Sequence, residues 1–427
     1  MADETVLSSA LSTQPNFKIH EVRQPTAELQ AEPMPLPLLP PKLAPNLGPL
    51  AAFSGNWTGR GFNTIFRPDN TKTPTPFTPP INSDNVLELN LTEETLSFSS
   101  SLGSIPNRGS GTQGDIFLNG VPYLQTISDV TTSPATGIHF EPGLWLAVPS
   151  TTNPSEPFTV ARMASIPHGT AIVSQGVVLA SVAGKPTIGA VDITPFAGGH
   201  PTDKIPFPSQ NATNQTTPRI PQNLSSFIAA GTITQAMLTD PNTVLRNQIA
   251  HQIITETVAI GISTNPAAPL FGGPLPGGAT TTTPPPAIKP SFGGGPENIA
   301  FLMGLANPPP TGQGPNAQSV QMDAVFWIET VHYRVNVPAL PPGSAPIVLQ
   351  PVPTSPAIPL QPSFVAAIPF IPNKGFAGGT VTVATTQIQY SQKVMLNFNG
   401  LSWPHVSVAS LVPASPIPIP ENLLPLT

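Results

Sequence analysis

Seven histidines, no cysteine and 22 acidic residues in a chain of 427 leave few groups that could ligate a metal or move a proton. Four of the histidines, His139, His168, His332 and His405, stand in or beside segments with strand alternation. His139 and Glu141 lie two apart in Gly137-Ile138-His139-Phe140-Glu141-Pro142-Gly143-Leu144-Trp145. On a regular strand these two share a face with Trp145, although Pro142 threatens the register. An imidazole beside a carboxylate inside a barrel is an acid/base pair, and equally a structural hydrogen bond in the wall. His168, in the Pro167-His168-Gly169 turn after the strand carrying Arg162, either hangs over a ligand at a barrel mouth or faces solvent. His332 is expected to point outward, because Trp327, Val331, Tyr333 and Val335 form the more apolar face, taken as the inward one. His405 opens the last strand and shares a face with Ser407, Ala409 and Leu411, a small-then-large pattern that leaves space beside the imidazole. Val406 and Val408 opposite are apolar too, so on the residues alone His405 reads first as a satisfied wall histidine. His20, His200 and His251 read as surface groups.

No HExxH, P-loop, GxSxG or strand-bound GxGxxG is present, so hydrolase and nucleotide readings have no support. The absence of cysteine removes disulfides, thiolate metal sites and thiol nucleophiles together. Sixteen scattered Lys plus Arg against 22 acids, a net charge of −6, argue against nucleic acid, which demands a concentrated basic surface. The acidic start Met1-Ala2-Asp3-Glu4 lacks the basic n-region and apolar stretch of a secretory signal, and no apolar run approaches the roughly 18 residues of a membrane span. The expectation is a soluble, cytoplasmic protein with no membrane partner.

The elements that must position these groups are strands. Sixty Pro and 34 Gly exclude helical bundles, coiled coils and helical solenoids, and the lack of a three-residue period excludes collagen. Residues 1–45, ending in Pro33-Met34-Pro35-Leu36-Pro37-Leu38-Leu39-Pro40-Pro41, form a Pro-rich arm, through which a homo-oligomer could assemble. Residues 46–415 are expected to be a single barrel domain, with 416–427 as a tail. Leu87, Leu89 and Leu91 alternate with Glu88, Asn90 and Thr92, Glu93-Glu94 marks a turn, and Leu96 and Phe98 lie on the return strand. Strands follow at 123–130, 137–148, 159–166, 170–180, 256–263, 298–302, 321–337, 380–398 and 405–411. Asp240-Pro241 starts a helix over 241–254, about four turns, with Leu245, Ile249 and Ile253 as its apolar stripe. Pro/Gly-rich insertions at about 192–255, 266–296 and 338–375 exceed the roughly 15 residues usual for loops, and so decorate the barrel as lids or arms. The fold class expected is all-β: an antiparallel barrel with long insertions and one helix.

Several segments, in order, resemble the nitrobindin family of ten-stranded haem-binding barrels, related in shape to calycins. Leu50-Ala51-Ala52-Phe53-Ser54-Gly55-Asn56-Trp57-Thr58-Gly59-Arg60-Gly61 is similar to that family's Gly-x-Trp-x-Gly-x-Gly opening, in which the Trp packs across the barrel base. Gly137–Trp145 resembles its mid-barrel His-x-Glu-x-Gly strand, and Tyr390 and His405 stand where the family has a Tyr-containing strand and the iron-ligating His. Asn63-Thr64-Ile65-Phe66-Arg67-Pro68, Ile105-Pro106-Asn107-Arg108-Gly109, Ala164–Gly169 and Gly400-Leu401-Ser402-Trp403-Pro404-His405 look like longer bacterial and fungal haem-binding proteins, some called peroxidases. The resemblance implies a ten-stranded calycin-like barrel that binds haem b. His405 would be the iron ligand, with Trp57, Tyr390 and Trp145 around the cofactor. Peroxide or a nitrogen oxide would be the small-molecule partner, with His168, His139 and Arg162 as candidates for the opposite side. The alternative is a haem-free calycin-type carrier of a hydrophobic small molecule.

Overall fold

Two-residue alternation produces ten long strands: β1 (Gly55–Pro68), β2 (Asn85–Phe98), β3 (Ile116–Asp129), β4 (Thr136–Val148), β5 (Thr159–Ile166), β6 (Thr170–Val178), β7 (Ile253–Ser263), β8 (Gln318–Val337), β9 (Gly379–Phe398) and β10 (Leu401–Pro413). The computed structural model describes residues 46–153, 155–166, 170–265, 295–298, 317–353 and 360–426. The Pro-rich arm, His168, the expected strand beyond 298 and the 266–294 part of one insertion lie outside the described residues. Each strand pairs antiparallel with the next in chain order, and β10 pairs with β1, so the ten close into an antiparallel all-β barrel.

The thinnest closure is between β6 and β7. They pair only over Gln175–Val178 and Ile260–Ser263, while the start of β6 pairs instead with the short strand Gly295–Asn298. Gly176 sits in this seam, opposite Val160 on β5 and Ile262 on β7. A Cβ there would lie 2.0 Å from the Gly261 carbonyl oxygen, so only glycine lets the backbones meet.

The apolar face of several strands points out of the barrel. Leu87 and Leu89 of β2, with Phe62 and Phe66 of β1 and Val406 of β10, pack against Leu224, Leu238 and Leu245 of the excursion between β6 and β7. Glu88, Asn90 and Thr92 of β2 face the interior instead. Trp327, Val331, Tyr333 and Val335 of β8 are likewise buried, but on the wall face opposite the cavity-lining Phe326. The expectation that they point inward is therefore corrected: burial under a coat carries the same hydrophobic signature as burial in a core. His332 does lie on the opposite face from them, its Nε2 3.1 Å from Thr255 Oγ1.

Two further expectations fail locally. β2 runs through Glu93-Glu94 without turning. Glu93 lies outside, 3.0 Å from Arg60, while Glu94 finds partners inside, so neither carboxylate needs a turn. The single four-turn helix is instead three short ones, α1 (Ser225–Ala230), α2 (Gln235–Thr239) and α3 (Thr243–Ile249). Asp240 ends α2, and its carboxylate accepts the Val191 and Asn242 backbone N–H groups and Arg246 Nη2. Ile253, expected in the helix stripe, pairs with His332 as the first residue of β7, so strand pairing cuts the helix short.

The coat has its own anchors. Arg219 is fully buried and donates to the carbonyl oxygens of Ser209, Asn211, Asn214, Pro221 and Gln222 at 2.6–3.3 Å. Burial depresses its pKa to about 10. Residues 417–418 add a parallel strand to a small sheet formed by Ile347–Leu349 and Phe364–Ala366, so the C-terminal residues belong to the coat. No helix among the described residues is long and apolar enough to cross a membrane.

Gly176→Val is expected to lower stability by about 3 kcal/mol, the upper end for overpacking a tight site. Urea unfolding followed by circular dichroism measures it, and an unchanged midpoint would show that the β6–β7 backbones are not so close.

Candidate functional site

The barrel interior has two levels. At one end the 3-10 turn Gly48–Phe53 fills the bore: Phe53 stacks on Phe98 at 5.1 Å and meets Trp145 edge-on at 5.4 Å. Trp57 belongs here. Its Nε1 donates to the Phe53 carbonyl at 2.8 Å and its ring packs into this cluster, away from the cavity lining. Above this plug lies a cavity of about 660 Å³, lined by residues of nine of the ten strands. That volume is within the range of about 300–1,000 Å³ typical of small-molecule sites.

The cavity floor is built on a buried ion pair. Arg162 on β5 donates from Nη2 to Glu141 Oε1 at 2.5 Å, from Nε to the Tyr123 hydroxyl at 2.8 Å and from Nη1 to Gln392 Oε1 at 2.8 Å. Tyr123 in turn donates to Glu141 Oε1, and His139 Nε2 lies 3.0 Å from Glu141 Oε2. The guanidinium also lies 5.6–5.8 Å from the ring centroids of Phe326, Tyr123 and Trp145, close enough for cation–π attraction. Glu141 and Arg162 are 0% and 3% exposed, so each charge is tolerable only because the other is present. Burial alone would raise the Glu141 pKa, but the Arg162 charge, with His139 and Tyr123, outweighs it and holds the carboxyl at about 2. The same burial raises the Tyr123 hydroxyl well above its ordinary value.

Pro142 does not break β4, which stays paired with β3 across it. The irregularity comes earlier: Ile127 pairs with His139 and Ser128 with Gly137, leaving Ile138 without an opposite residue. That bulge turns Ile138 and His139 both toward the cavity.

A second carboxylate, Glu94 on β2, sits beside the first and behaves oppositely. Its Oε2 accepts from Gln125 Nε2 at 2.7 Å and from the Tyr390 hydroxyl at 2.9 Å, while its Oε1 is buried without a hydrogen bond among the described residues. Burial outweighs these bonds and pushes its pKa up to about 7. Gly59 makes room for it, because a Cβ there would come within 2.8 Å of the Glu94 side chain.

On the β10–β1–β2 wall, His405 Nε2 lies 2.8 Å from Asn63 Oδ1. The Ser407 hydroxyl donates to the same oxygen at 2.8 Å, and Asn63 Nδ2 donates to Asn90 Oδ1 at 2.9 Å. Arg67 at this edge of the cavity pairs with Glu88 at 3.0 Å. Among the described residues no cluster of three or more His, Asp or Glu side chains could hold a metal by itself.

Of the residues singled out from sequence, the cavity brings together His139, Trp145, Arg162, Tyr390 and His405. Trp57 stands apart below it, and His168 is outside the described residues. Tyr123, Glu94, Gln125, Gln392 and Asn63 were not foreseen. The available signal was polar residues at alternate positions, Glu88, Asn90, Thr92 and Glu94, on a strand whose other face is leucine.

No protein-family model matches the chain, and no curated protein matches it. A solved structure, the crystal structure of Rv2717c from M. tuberculosis, is similar over 86% of this chain and 97% of that chain, at 9% identity and a TM-score of 0.30.

Glu141→Gln leaves Arg162 charged and buried without its carboxylate, and is expected to cost about 3–5 kcal/mol at neutral pH. The folded pKa of Glu141, about 2, lies below the unfolded value of roughly 4.3, so its stabilisation is present above that value and lost as pH falls toward 2. Urea titrations at several pH values should show this acid slope in the wild type and its loss in the variant. Equal stability of the two proteins at pH 7 would refute the pairing.

Proposed function

We propose that the barrel binds haem b in this cavity, with His405 as the sole protein ligand of the iron, and acts on peroxide or a nitrogen oxide. The observation that carries this reading is the place of His405: an imidazole on the wall of a 660 Å³ cavity, four strands round the barrel from His139 and five from Arg162. The donor set is compatible with a metal. When the imidazole turns away from Asn63, the Ser407 hydroxyl still satisfies Asn63 Oδ1, so ligation leaves no orphaned amide. Haem held by His405 would supply an iron able to bind peroxide or a nitrogen oxide.

The chain's own groups then divide the remaining work. His139, oriented by Glu141 Oε2, is the group suited to take and return a proton. Arg162 contributes a fixed positive charge, with Nε, Nη1 and Nη2 already committed to Tyr123, Gln392 and Glu141. It therefore acts as a positioning residue rather than as a mobile donor. The apolar wall residues Ile65, Ile127, Ile138 and Ile166 exclude water from a flat apolar ligand.

A second reading, a haem-free carrier of a hydrophobic small molecule, is favoured by one observation. The His405 Nε2 that would bind iron already has a hydrogen-bond partner in Asn63, as a wall histidine would.

Hemin titration separates the two. Wild-type protein is expected to develop a Soret band characteristic of imidazole-ligated iron, and His405→Ala to weaken hemin binding at least about tenfold, the equivalent of roughly 1.4 kcal/mol. An identical spectrum and affinity in His405→Ala would remove His405 as ligand and leave the carrier reading.

A further inference from the structure

We propose that Tyr390 is the hydrogen-bond donor with which the cavity floor recognises an acceptor oxygen on its ligand, and that Glu94 behind it decides whether that proton is offered. This rests on the cavity being a small-molecule site, and not on iron at His405. The ligand class it fits is an apolar, ring-sized molecule bearing a carbonyl or anionic oxygen.

The geometry is specific. Tyr390 lines the cavity, and its hydroxyl donates to Glu94 Oε2 at 2.9 Å. Gln125 Nε2 donates to the same oxygen at 2.7 Å and reaches the Tyr390 hydroxyl at 3.2 Å. A phenol has one proton and can also accept. With Glu94 ionised, that proton is held by the carboxylate, and toward a ligand Tyr390 can only accept. With a proton from solvent on Glu94, the carboxyl donates to the Tyr390 oxygen, and the phenolic proton is released to point into the cavity. The only covalent change is the O–H bond formed as Glu94 takes up one solvent proton; the phenolic O–H stays intact and one hydrogen bond reverses direction.

The surroundings make the reversal accessible near neutrality. Acting on Glu94 are Gln125 on β3, His139 and Glu141 on β4 and Tyr390 on β9, with Arg162 on β5 acting on Tyr390 and Tyr123 held between Arg162 and Glu141, while β1 presents Gly59 and β10 presents Leu411. Arg162 is matched by Glu141, so no unmatched cation fixes Glu94 as a carboxylate. Burial is the largest influence on Glu94 and carries its pKa to about 7, while Tyr390 is pushed well above its ordinary value and keeps its proton throughout. The unpartnered Oε1 against Gly59 fits a carboxyl group that is uncharged for much of the time.

The test uses the full chain and the fluorescent probe 8-anilinonaphthalene-1-sulfonate, an aromatic anion with acceptor oxygens. Wild type is expected to bind it about two- to tenfold more tightly at about pH 6 than at about pH 8, the factor one neutral hydrogen bond supplies. Tyr390→Phe should be flat with pH at the weaker level. Glu94→Gln, whose amide can donate to Tyr390 at any pH, should be flat at the tighter level. If Tyr390→Phe keeps the pH dependence, the Glu94 charge acts on the probe directly and the role of Tyr390 is overturned. Failure of the probe to bind at either pH overturns the recognition device itself. A measurement without any ligand guards against misfolded variants: the part of the protonated-carboxyl infrared band that Glu94→Gln removes should be present at about pH 6 in wild type and largely gone at about pH 8, a difference that cancels the other buried carboxyl, Glu329, which burial pushes up to about 8. Persistence of that part at the higher pH overturns the gate. Hemin binding by His405→Ala reports on iron ligation alone, so failure of that reading is distinguishable from failure of this one.

Discussion

The buried pair between Glu141 and Arg162 is the constraint around which the barrel interior is arranged. Two opposite charges out of water are tolerable only in mutual contact and with their remaining hydrogen-bond capacity satisfied. The pair and the groups that satisfy it come from four strands: Tyr123 from β3, Glu141 and His139 on β4, Arg162 on β5 and Gln392 from β9. β9 is reached from β5 only across the bore, so the guanidinium braces the barrel from within as well as along its wall. A one-residue slip of β4 against β5 would turn Glu141 outward and strand Arg162 in an apolar interior, which penalises the wrong register.

The same pair explains why two nearby glutamates differ. Glu141 touches the cation and is held ionised, whereas Glu94 meets only neutral donors, Gln125 and Tyr390, and is pushed toward its neutral form by burial. Such divergence between neighbouring carboxyls is how one enclosed site can hold an acid and a base at the same pH. Here it arises from which strand faces the Arg162 guanidinium.

Much of the architecture could be read from residue order. Period-two alternation located the strand at 159–166 to the residue and the neighbouring strands to within a few positions, because each β-strand imposes its period on its own residues whatever lies around it. His139, Glu141 and Arg162 could be picked out as uncommon residue types in strand segments. What alternation cannot encode is which of two faces is inside. On β8 and β2 the apolar face lies beneath the coat, so Trp327 and Leu87 are core residues of a layer that is not the barrel interior. Nor does Glu93-Glu94 announce that one carboxylate will meet Arg60 outside and the other Tyr390 within, since those partners are 33 and 296 residues away along the chain. The short α3 fails for a similar reason: the claim of β8 on Ile253 is a long-range pairing that local helix preference does not contain.

Arg219 has a consequence for how the coat is made. A guanidinium that gathers five carbonyl oxygens of the 209–222 segment does for an irregular loop what a ladder of amides does for a sheet, giving it a fixed shape with almost no repetitive structure. The segment can therefore behave as a rigid tile, moulded by its own hub, with Pro218 and Ile220 latched to the edge of β2. Such a tile can change its outward residues freely provided the hub is kept, so the surface this protein shows to its surroundings is free to diverge while the wall behind it, and the chamber behind that wall, stay the same.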